Sequence, residues 1–477
     1  MIGDWSTARG PLYSRLARAI QSAVESGSLG AGSRLPPERP LAEALRVSRT
    51  TVVLAYGKLR EQGLVESRQG SGTWVPRRTS FSSPAPRDER SRSFLVDSLS
   101  RAASDAPADT IAFIGACLPG SGLELADEWR AAEADVAEIA CGTGYSAQGW
   151  LPLRRAIAAH FETRGVPTTP DEILLTNGAQ QAIDLVGRLL VGRGEAVILE
   201  DPTYLGAIDA FTLAGARLLP VPVGPTGVDI PALRRAAQQA TPALVYLVPS
   251  FHNPTGSVMP EAARREVASL AETTGVAVVE DESLAELTFG AEPPPPIAAF
   301  APRATVFTVG SLSKLFWGGL RVGWVRGPRP LVTRLTRFKV AADLSGSLIG
   351  QALATRLLAR RAEVTRLRRR ESRRRYDRLT ALLRESLPEW SWTEPSGGLT
   401  LWVRLPDPSA EELARVALRH GVSIVPGPVH SPSHGFADRL RLPYVMDEGP
   451  LAEGIARLAR AWHECLKPAG ERLDVIV

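Results

Sequence analysis

The chain has 477 residues, 44% hydrophobic and 22% charged, with a formal net charge of +5 and an isoelectric point near 9.3. That length allows two or three domains with well-filled cores, the mixture excludes a fibrous or disordered chain, and the basic balance permits nucleic acid without requiring it. The cysteines, Cys117, Cys141 and Cys465, are widely spaced and lie outside any metal-ligand pattern, and no run approaches about 18 apolar residues; a disulfide framework, a metal site, export and membrane insertion are therefore not expected, and a reducing cytoplasm is.

Leu12, Leu16, Ile20 and Val24 recur every four positions, one apolar face of a helix. A turn rich in glycine and proline follows over 27–37, then a short helix over 38–45. A third helix begins at Ser48, whose hydroxyl suits an N-cap and whose Val52, Tyr56 and Leu59 point inward. The last two helices are spaced as a helix-turn-helix. Residues 63–75 alternate apolar and polar side chains around a glycine-rich tip, as a β-hairpin does. The segments Leu-Pro-Pro-Glu-Arg from Leu35, Leu-Ala-Glu-Ala-Leu from Leu41, Val-Ser-Arg-Thr-Thr-Val from Val47 and Gln-Gly-Ser-Gly-Thr-Trp-Val from Gln69 together resemble the winged-helix domain of GntR regulators. The resemblance places a DNA-binding domain over 10–76. It implies that the third helix enters the major groove of double-stranded DNA with Ser48, Arg49, Thr50 and Thr51 leading, while Arg68 and the hairpin tip reach the backbone or minor groove. The blander reading of Arg49 is a solvated charge.

Residues 77–108 are crowded with Arg, Ser, Pro and Asp and read as a linker. From 109 to 477 short apolar runs alternate with amphipathic stretches. Seven runs, 173–175, 196–199, 218–223, 243–248, 276–279, 305–309 and 322–325, read as strands of a mainly parallel sheet covered by helices on both faces. This α/β part spans about 150–335, with a smaller C-terminal α/β part over about 345–470. Ligands of such sheets sit beyond the carboxyl ends of the strands, where the distinctive residues fall. Asn177-Gly178-Ala179-Gln180 opens a helix whose free N–H groups suit an anion. Tyr204 follows the second strand, Asn253-Pro254-Thr255-Gly256 the fourth and Glu280-Asp281-Glu282-Ser283 the fifth, with alternation turning Glu280 and Glu282 away from Asp281.

Among 56 basic residues only Lys58, Lys314, Lys339 and Lys467 are lysines. Where arginine serves for charge, a lysine marks a need for a primary amine, because a guanidinium neither loses its proton nor forms an imine. The run Ser311-Leu-Ser-Lys314, followed by Gly-Leu-Arg321-Val-Gly, resembles the lysine motif of fold-type I pyridoxal-phosphate enzymes, the aspartate aminotransferase family. The resemblance implies pyridoxal 5'-phosphate as cofactor, Lys314 as its Schiff-base lysine, and Ser311, Ser313 and Arg321, with Gly178, Ala179 and Gln180, as phosphate ligands. It further implies that Tyr204 stacks on the ring, Asn253 bonds the phenolic oxygen and Asp281 keeps the ring nitrogen protonated, making Lys314 and Asp281 the catalytic pair. Tyr145, in Tyr-Ser-Ala-Gln-Gly-Trp-Leu-Pro-Leu-Arg, would reach the phosphate of a neighbouring subunit in a homodimer. Arg441 would hold a substrate carboxylate, with Arg439 as fallback. One departure stands out: the family's tyrosine two residues after the aspartate is here Ser283, which argues for slow or absent turnover. The arginine-dense stretch 366–378 reads as a solvated helix face.

A GntR-like winged helix ahead of an aminotransferase-like domain resembles the MocR family of bacterial regulators. That implies a dimeric transcription factor that holds the cofactor and senses an amine, an amino acid or the vitamin itself. The rival expectation is an active aminotransferase with an accessory DNA-binding domain.

Overall fold

The computed structural model describes residues 11–25, 29, 33, 35–45, 47–61, 64–68, 72–75, 109–120, 125–407 and 409–466. It divides the chain into two compact units, 1–92 and 93–477. The expected linker over 77–108 lies outside the described residues.

The first unit contains α1 (Leu12–Glu25), α2 (Glu38–Leu45), α3 (Arg49–Glu61), β1 (Glu66–Arg68) and β2 (Gly72–Trp74). Leu16 and Ile20 of α1 meet Val52, Tyr56 and Leu59 of α3 in a core from which water is excluded. Leu12, expected on the same face, is 46% exposed, so the inward stripe begins one turn later. Ser48 caps α3 as its sequence suggested: its Oγ accepts the Thr51 N–H at 3.1 Å. The hairpin pairs Glu66 with Trp74 and Ser67 with Thr73. It is tied to the chain before α2 by Leu35 N–H to Thr73 O at 2.8 Å and Val75 N–H to Ser33 O at 2.9 Å. Its tip, 69–71, and the side chain of Arg68 lie outside the described residues.

In the second unit the main sheet holds β3 (Ile173–Thr176), β4 (Ala196–Asp201), β5 (Arg217–Gly224), β6 (Gly227–Val228), β7 (Leu244–Leu247), β8 (Ala277–Asp281), β9 (Val306–Ser311) and β10 (Gly323–Arg326). They form one sheet in the order β3-β10-β9-β8-β7-β4-β5-β6. The five from β9 to β5 run parallel, and their inner members are buried along nearly their whole length, which is why they read as continuous apolar runs. All seven expected strands are present. The eighth, β6, is a two-residue hairpin return at Gly227, whose φ of 96° suits glycine and whose length leaves no periodicity to read. Residues 312–322 hold no crossover α-helix, so β10 returns antiparallel to β9.

Helix α4 (Ala179–Leu190) follows β3, and the long α5 (Arg361–Ser386) leads to a four-stranded antiparallel sheet. That sheet contains β11 (Ser391–Trp392), β12 (Thr400–Arg404), β13 (Val425–Pro426) and β14 (Arg439–Pro443), in the order β11-β12-β14-β13. Its own apolar core includes Leu401, Leu440, Leu442 and Trp462. The expectation that the arginines of 366–378 form a solvated face is corrected at two positions. Arg368 is 0% and Arg375 7% exposed, because backbone carbonyls and acids inside the unit accept their donors. No helix among the described residues is long and apolar enough to cross a membrane.

Candidate functional site

The carboxyl ends of β4, β7, β8 and β9 open on a cavity of about 150 Å³. Asp281, the last residue of β8, lies buried at one wall. Its Oδ1 accepts the Ser283 N–H at 2.9 Å and its Oδ2 the Tyr246 O–H at 3.0 Å, and no salt bridge to it exists among the described residues. Burial pushes this carboxyl above its ordinary value, while the hydrogen bonds pull it back. Glu280 and Glu282 turn away, as alternation required. Glu280 takes the Ile297 N–H and the Thr308 hydroxyl, both at 2.6 Å, and Glu282 faces Arg164 at 2.9 Å and Arg264 at 3.3 Å. Tyr246 was not anticipated. Its signal was available: it is the one hydroxyl in the buried run Leu-Val-Tyr-Leu, paired in register with Val279, two residues before Asp281.

Lys314 faces Asp281's cavity from a turn closed by the Phe316 N–H to Leu312 O bond at 2.9 Å. Its Nζ donates to Ala116 O at 2.8 Å and lies 3.3 Å from Cys117 Sγ. These two neighbours come from a segment whose proximity nothing in the sequence announced.

At the anion end, α4 starts beyond Gly178, whose φ is 84°. Arg321 spreads its guanidinium across Gly178, within 3.3 Å of where a Cβ would stand, and donates to Asn177 O at 2.5 Å. Gly323 is needed here as well, since a Cβ would approach the Gly178 carbonyl carbon to 2.6 Å. Ser311 Oγ accepts the Ser313 N–H at 3.1 Å, and Ser313 Oγ is buried without a partner. Gln180 brings its backbone N–H to the start of α4, while its side chain is engaged elsewhere. Its amide donates to Gly206 O at 2.7 Å and accepts the Tyr204 O–H at 2.9 Å. Only its backbone N–H remains for an anion, and its side chain instead fixes the Tyr204 ring at the cavity wall. Burial, and then the nearby Asp281, push the Tyr204 phenol up.

At the opposite end, Asn253 accepts from Arg441 Nη1 at 3.5 Å, leaving its Nδ2 as donor. Arg441, on β14 opposite Trp402, is 4% exposed and donates to Ile114 O. Its Nε has no partner, and no carboxylate meets it among the described residues. Burial pushes its guanidinium down to about 10. Arg439 is half-buried and pairs with Asp438 at 3.7 Å, so Arg441 rather than the fallback is turned inward. Tyr145 does not reach this cavity in its own chain: it is 69% exposed and borders a separate surface depression with Ser345 and Gly346.

In the first unit Ser48, Arg49 and Thr50 are exposed at the start of α3, while the Ser48 and Thr51 hydroxyls engage each other at 2.8 Å. Arg49 is held 3.3 Å from Glu38 with its side chain 68% exposed.

A buried carboxylate without a cation and a buried serine hydroxyl without a partner line one cavity with Arg321 and Lys314, and a buried guanidinium without an anion stands behind Asn253 at its wall. They fit, in turn, a protonated ring nitrogen, a phosphate and a ligand carboxylate, so the residues present suit pyridoxal 5'-phosphate. The fold and cavity define a pyridoxal-phosphate domain of the aminotransferase type carried on the same chain as a winged helix. Residues 114–458 match the family aminotransferase class I and II, and residues 12–75 match bacterial regulatory proteins of the gntR family. The chain is 38% identical over 321 residues to a 2-aminoadipate transaminase of Thermus thermophilus, covering 66% of this chain and 80% of that protein. It is 30% identical over 436 residues to the probable rhizopine catabolism regulatory protein MocR of Rhizobium meliloti, covering 87% and 86%. Among solved structures, α-aminoadipate aminotransferase from Thermus thermophilus, complexed with N-(5'-phosphopyridoxyl)-L-leucine, matches with a TM-score of 0.70 and 34% identity over 75% of this chain and 93% of that one. The chain belongs to the MocR-type transcriptional regulators, in which a GntR helix-turn-helix domain is joined to a class I and II aminotransferase domain.

Proposed function

We propose that this regulator reads a small amine, above all an amino acid, at the cavity around Lys314 and Arg441, and conveys its presence through residues 77–108 to a DNA-binding head at 10–76. The supporting observation is that one cavity is lined by Lys314, an amine-handling group, and by Asn253, to which the uncompensated Arg441, a carboxylate-binding group, is bonded. When bound, pyridoxal 5'-phosphate supplies an electrophilic carbon for a primary amine and a ring that accepts electrons. Around it Arg321, Ser311, Ser313 and the N–H groups of Gly178, Ala179 and Gln180 hold the phosphate. Asp281, oriented by Tyr246 and the Ser283 N–H, would keep a proton on the ring nitrogen, Tyr204 would offer its ring face, and Asn253 would donate through Nδ2. Lys314 Nζ would supply the protein's own primary amine to the cavity. We place the protein in the cytoplasm as a homodimer, with Tyr145 contributed across the subunit interface. Two heads then address two half-sites, and a ligand alters DNA binding only through a difference in its affinity for the two arrangements.

The test combines two measurements on the full chain, a visible spectrum with amino acids added and a mobility shift on its own promoter region. A spectral change accompanied by altered DNA affinity, without keto-acid release, is expected. A protein that stays colourless with added pyridoxal 5'-phosphate overturns the reading. The likeness to a transaminase favours a second reading, steady transamination. Against it, the Ser283 hydroxyl is too short to do the work of a tyrosine hydroxyl. Ser283→Tyr is accordingly expected to raise keto-acid release at least roughly tenfold, a modest share of what a placed proton donor contributes.

The GntR head binds double-stranded DNA, and the exposed start of α3 is our candidate for reading it. Arg49→Ala is expected to weaken specific binding by about 1–3 kcal/mol if it contacts a guanine edge. If it holds a phosphate instead, binding falls uniformly across sequences and the salt slope drops by about one. Mobility shifts on operator and scrambled DNA at two salt concentrations distinguish these outcomes. Ser48 and Thr51 serve the helix cap first, so Ser48→Ala is expected to cost about 1 kcal/mol of head stability.

A further inference from the structure

The arginine-dense helix α5 presents two buried guanidiniums, one bonded to the turn after Lys314 and the other to the chain after the strand of Arg441. Arg368 donates to Leu315 O at 3.0 Å, Phe316 O at 2.6 Å and Pro119 O at 2.8 Å. Leu315 and Phe316 directly follow Lys314, so Arg368 caps the free carbonyls of the lysine turn as a cation caps a helix end. Pro119 belongs to the segment whose Ala116 and Cys117 lie against Lys314 Nζ. Two helical turns along α5, Arg375 donates to Val445 O at 2.9 Å and Asp447 Oδ1 at 2.8 Å, immediately beyond the strand that carries Arg441. Glu371 joins the two, accepting from Arg368 at 2.6 Å through Oε2 and from Arg375 at 2.9 Å through Oε1.

We propose that Arg368, Glu371 and Arg375 form an internal brace in which Arg368 is a positioning residue for Lys314, coupled through Glu371 and Arg375 to the strand of Arg441. None of the three touches the cavity; they act on it through backbone carbonyls. The brace gives the lysine turn and the carboxylate-binding strand a shared anchor, so displacement of one is felt at the other. This deepens the reading of that cavity as a cofactor and effector site and rests on it.

The test uses Glu371→Gln, which keeps side-chain shape, and Arg368→Lys, which keeps charge but loses the fork of donors. Each variant is checked for folding by its melting transition. The first readout needs no cofactor: the rate at which iodoacetamide alkylates Cys117 in the apoprotein, followed by peptide mass. The second is pyridoxal 5'-phosphate affinity by absorbance titration. Both variants are expected to alkylate faster and bind the cofactor more weakly, each by about tenfold, the scale of one lost charge-assisted hydrogen bond. Glu371→Gln and Arg441→Met are expected to be non-additive in alkylation rate by more than about threefold, the sign of coupled sites. Folded variants with wild-type alkylation and affinity, or strict additivity in the cycle, overturn the brace. A wild type that binds no cofactor while Cys117 still responds to both substitutions would overturn the cofactor reading and leave the brace standing.

Discussion

Lys314→Ala protein incubated with pyridoxal 5'-phosphate and passed through a desalting column is expected to emerge colourless, where wild type emerges yellow. The fold should survive, because the substitution removes one hydrogen bond to Ala116 O and a contact with a thiol in a half-exposed segment, a loss on the order of 1 kcal/mol. The anion end is untouched: Arg321, Ser313 and the first turn of α4 still attract a phosphate, so the variant binds cofactor reversibly. Without the covalent hold, apparent affinity is expected to fall at least about 100-fold, or roughly 2.7 kcal/mol. At a fixed cofactor concentration that difference appears as a smaller rise in melting temperature. The other described lysines are engaged elsewhere: Lys339 is buried and paired with Asp343 at 2.7 Å, and Lys58 is bonded to Ser14 Oγ at 3.0 Å. Retention of the visible band by Lys314→Ala would show that the amine sits elsewhere.

What the sequence disclosed about this site divides along a physical line. Groups fixed by local chain geometry were readable: Asp281 at the end of an apolar run, Asn253 before a proline, Lys314 in its serine and glycine setting, Ser48 at the start of α3. Each announces itself within a few residues because the strand end or helix start that positions it has its own composition. Groups fixed by contacts distant in sequence were not. Tyr246 looks like core until its neighbouring strand is known to end in an acid. That the Gln180 side-chain amide is taken by the Tyr204 hydroxyl and the Gly206 carbonyl emerges only from the fold. Arg368 and Arg375 sit in a helix so rich in arginine that solvation is the natural expectation. Only the carbonyls of residues 119, 315, 316 and 445 identify these two as the inward pair, and those arrive from three separate parts of the chain. The same limit explains β6, too short for a period, and the Cys117 contact with Lys314, made by a segment almost 200 residues upstream.

Arg441→Met is expected to make the protein more stable and less responsive at once. In the ligand-free chain the Arg441 guanidinium is buried, donates to Ile114 O and Asn253, and meets no carboxylate among the described residues. An uncompensated buried cation is a cost, so an apolar side chain of similar length should raise stability by about 1–4 kcal/mol. Burial lowers the guanidinium to about 10, which leaves it protonated at neutral pH, so the stability gap between Arg441→Met and wild type should hold level from about pH 6 to 8. Ligand response should change in the opposite sense. A carboxylate bound by a buried guanidinium contributes about 2–5 kcal/mol, so the amino-acid concentration that shifts the spectrum should rise by more than about 30-fold. The decarboxylated amine with the same side chain makes no such contact, and its titration should be nearly unchanged. Equal losses for acid and amine would show that Arg441 shapes the cavity without reading charge. A selective loss with no gain in stability would show that Arg441 meets an anion even in the ligand-free protein.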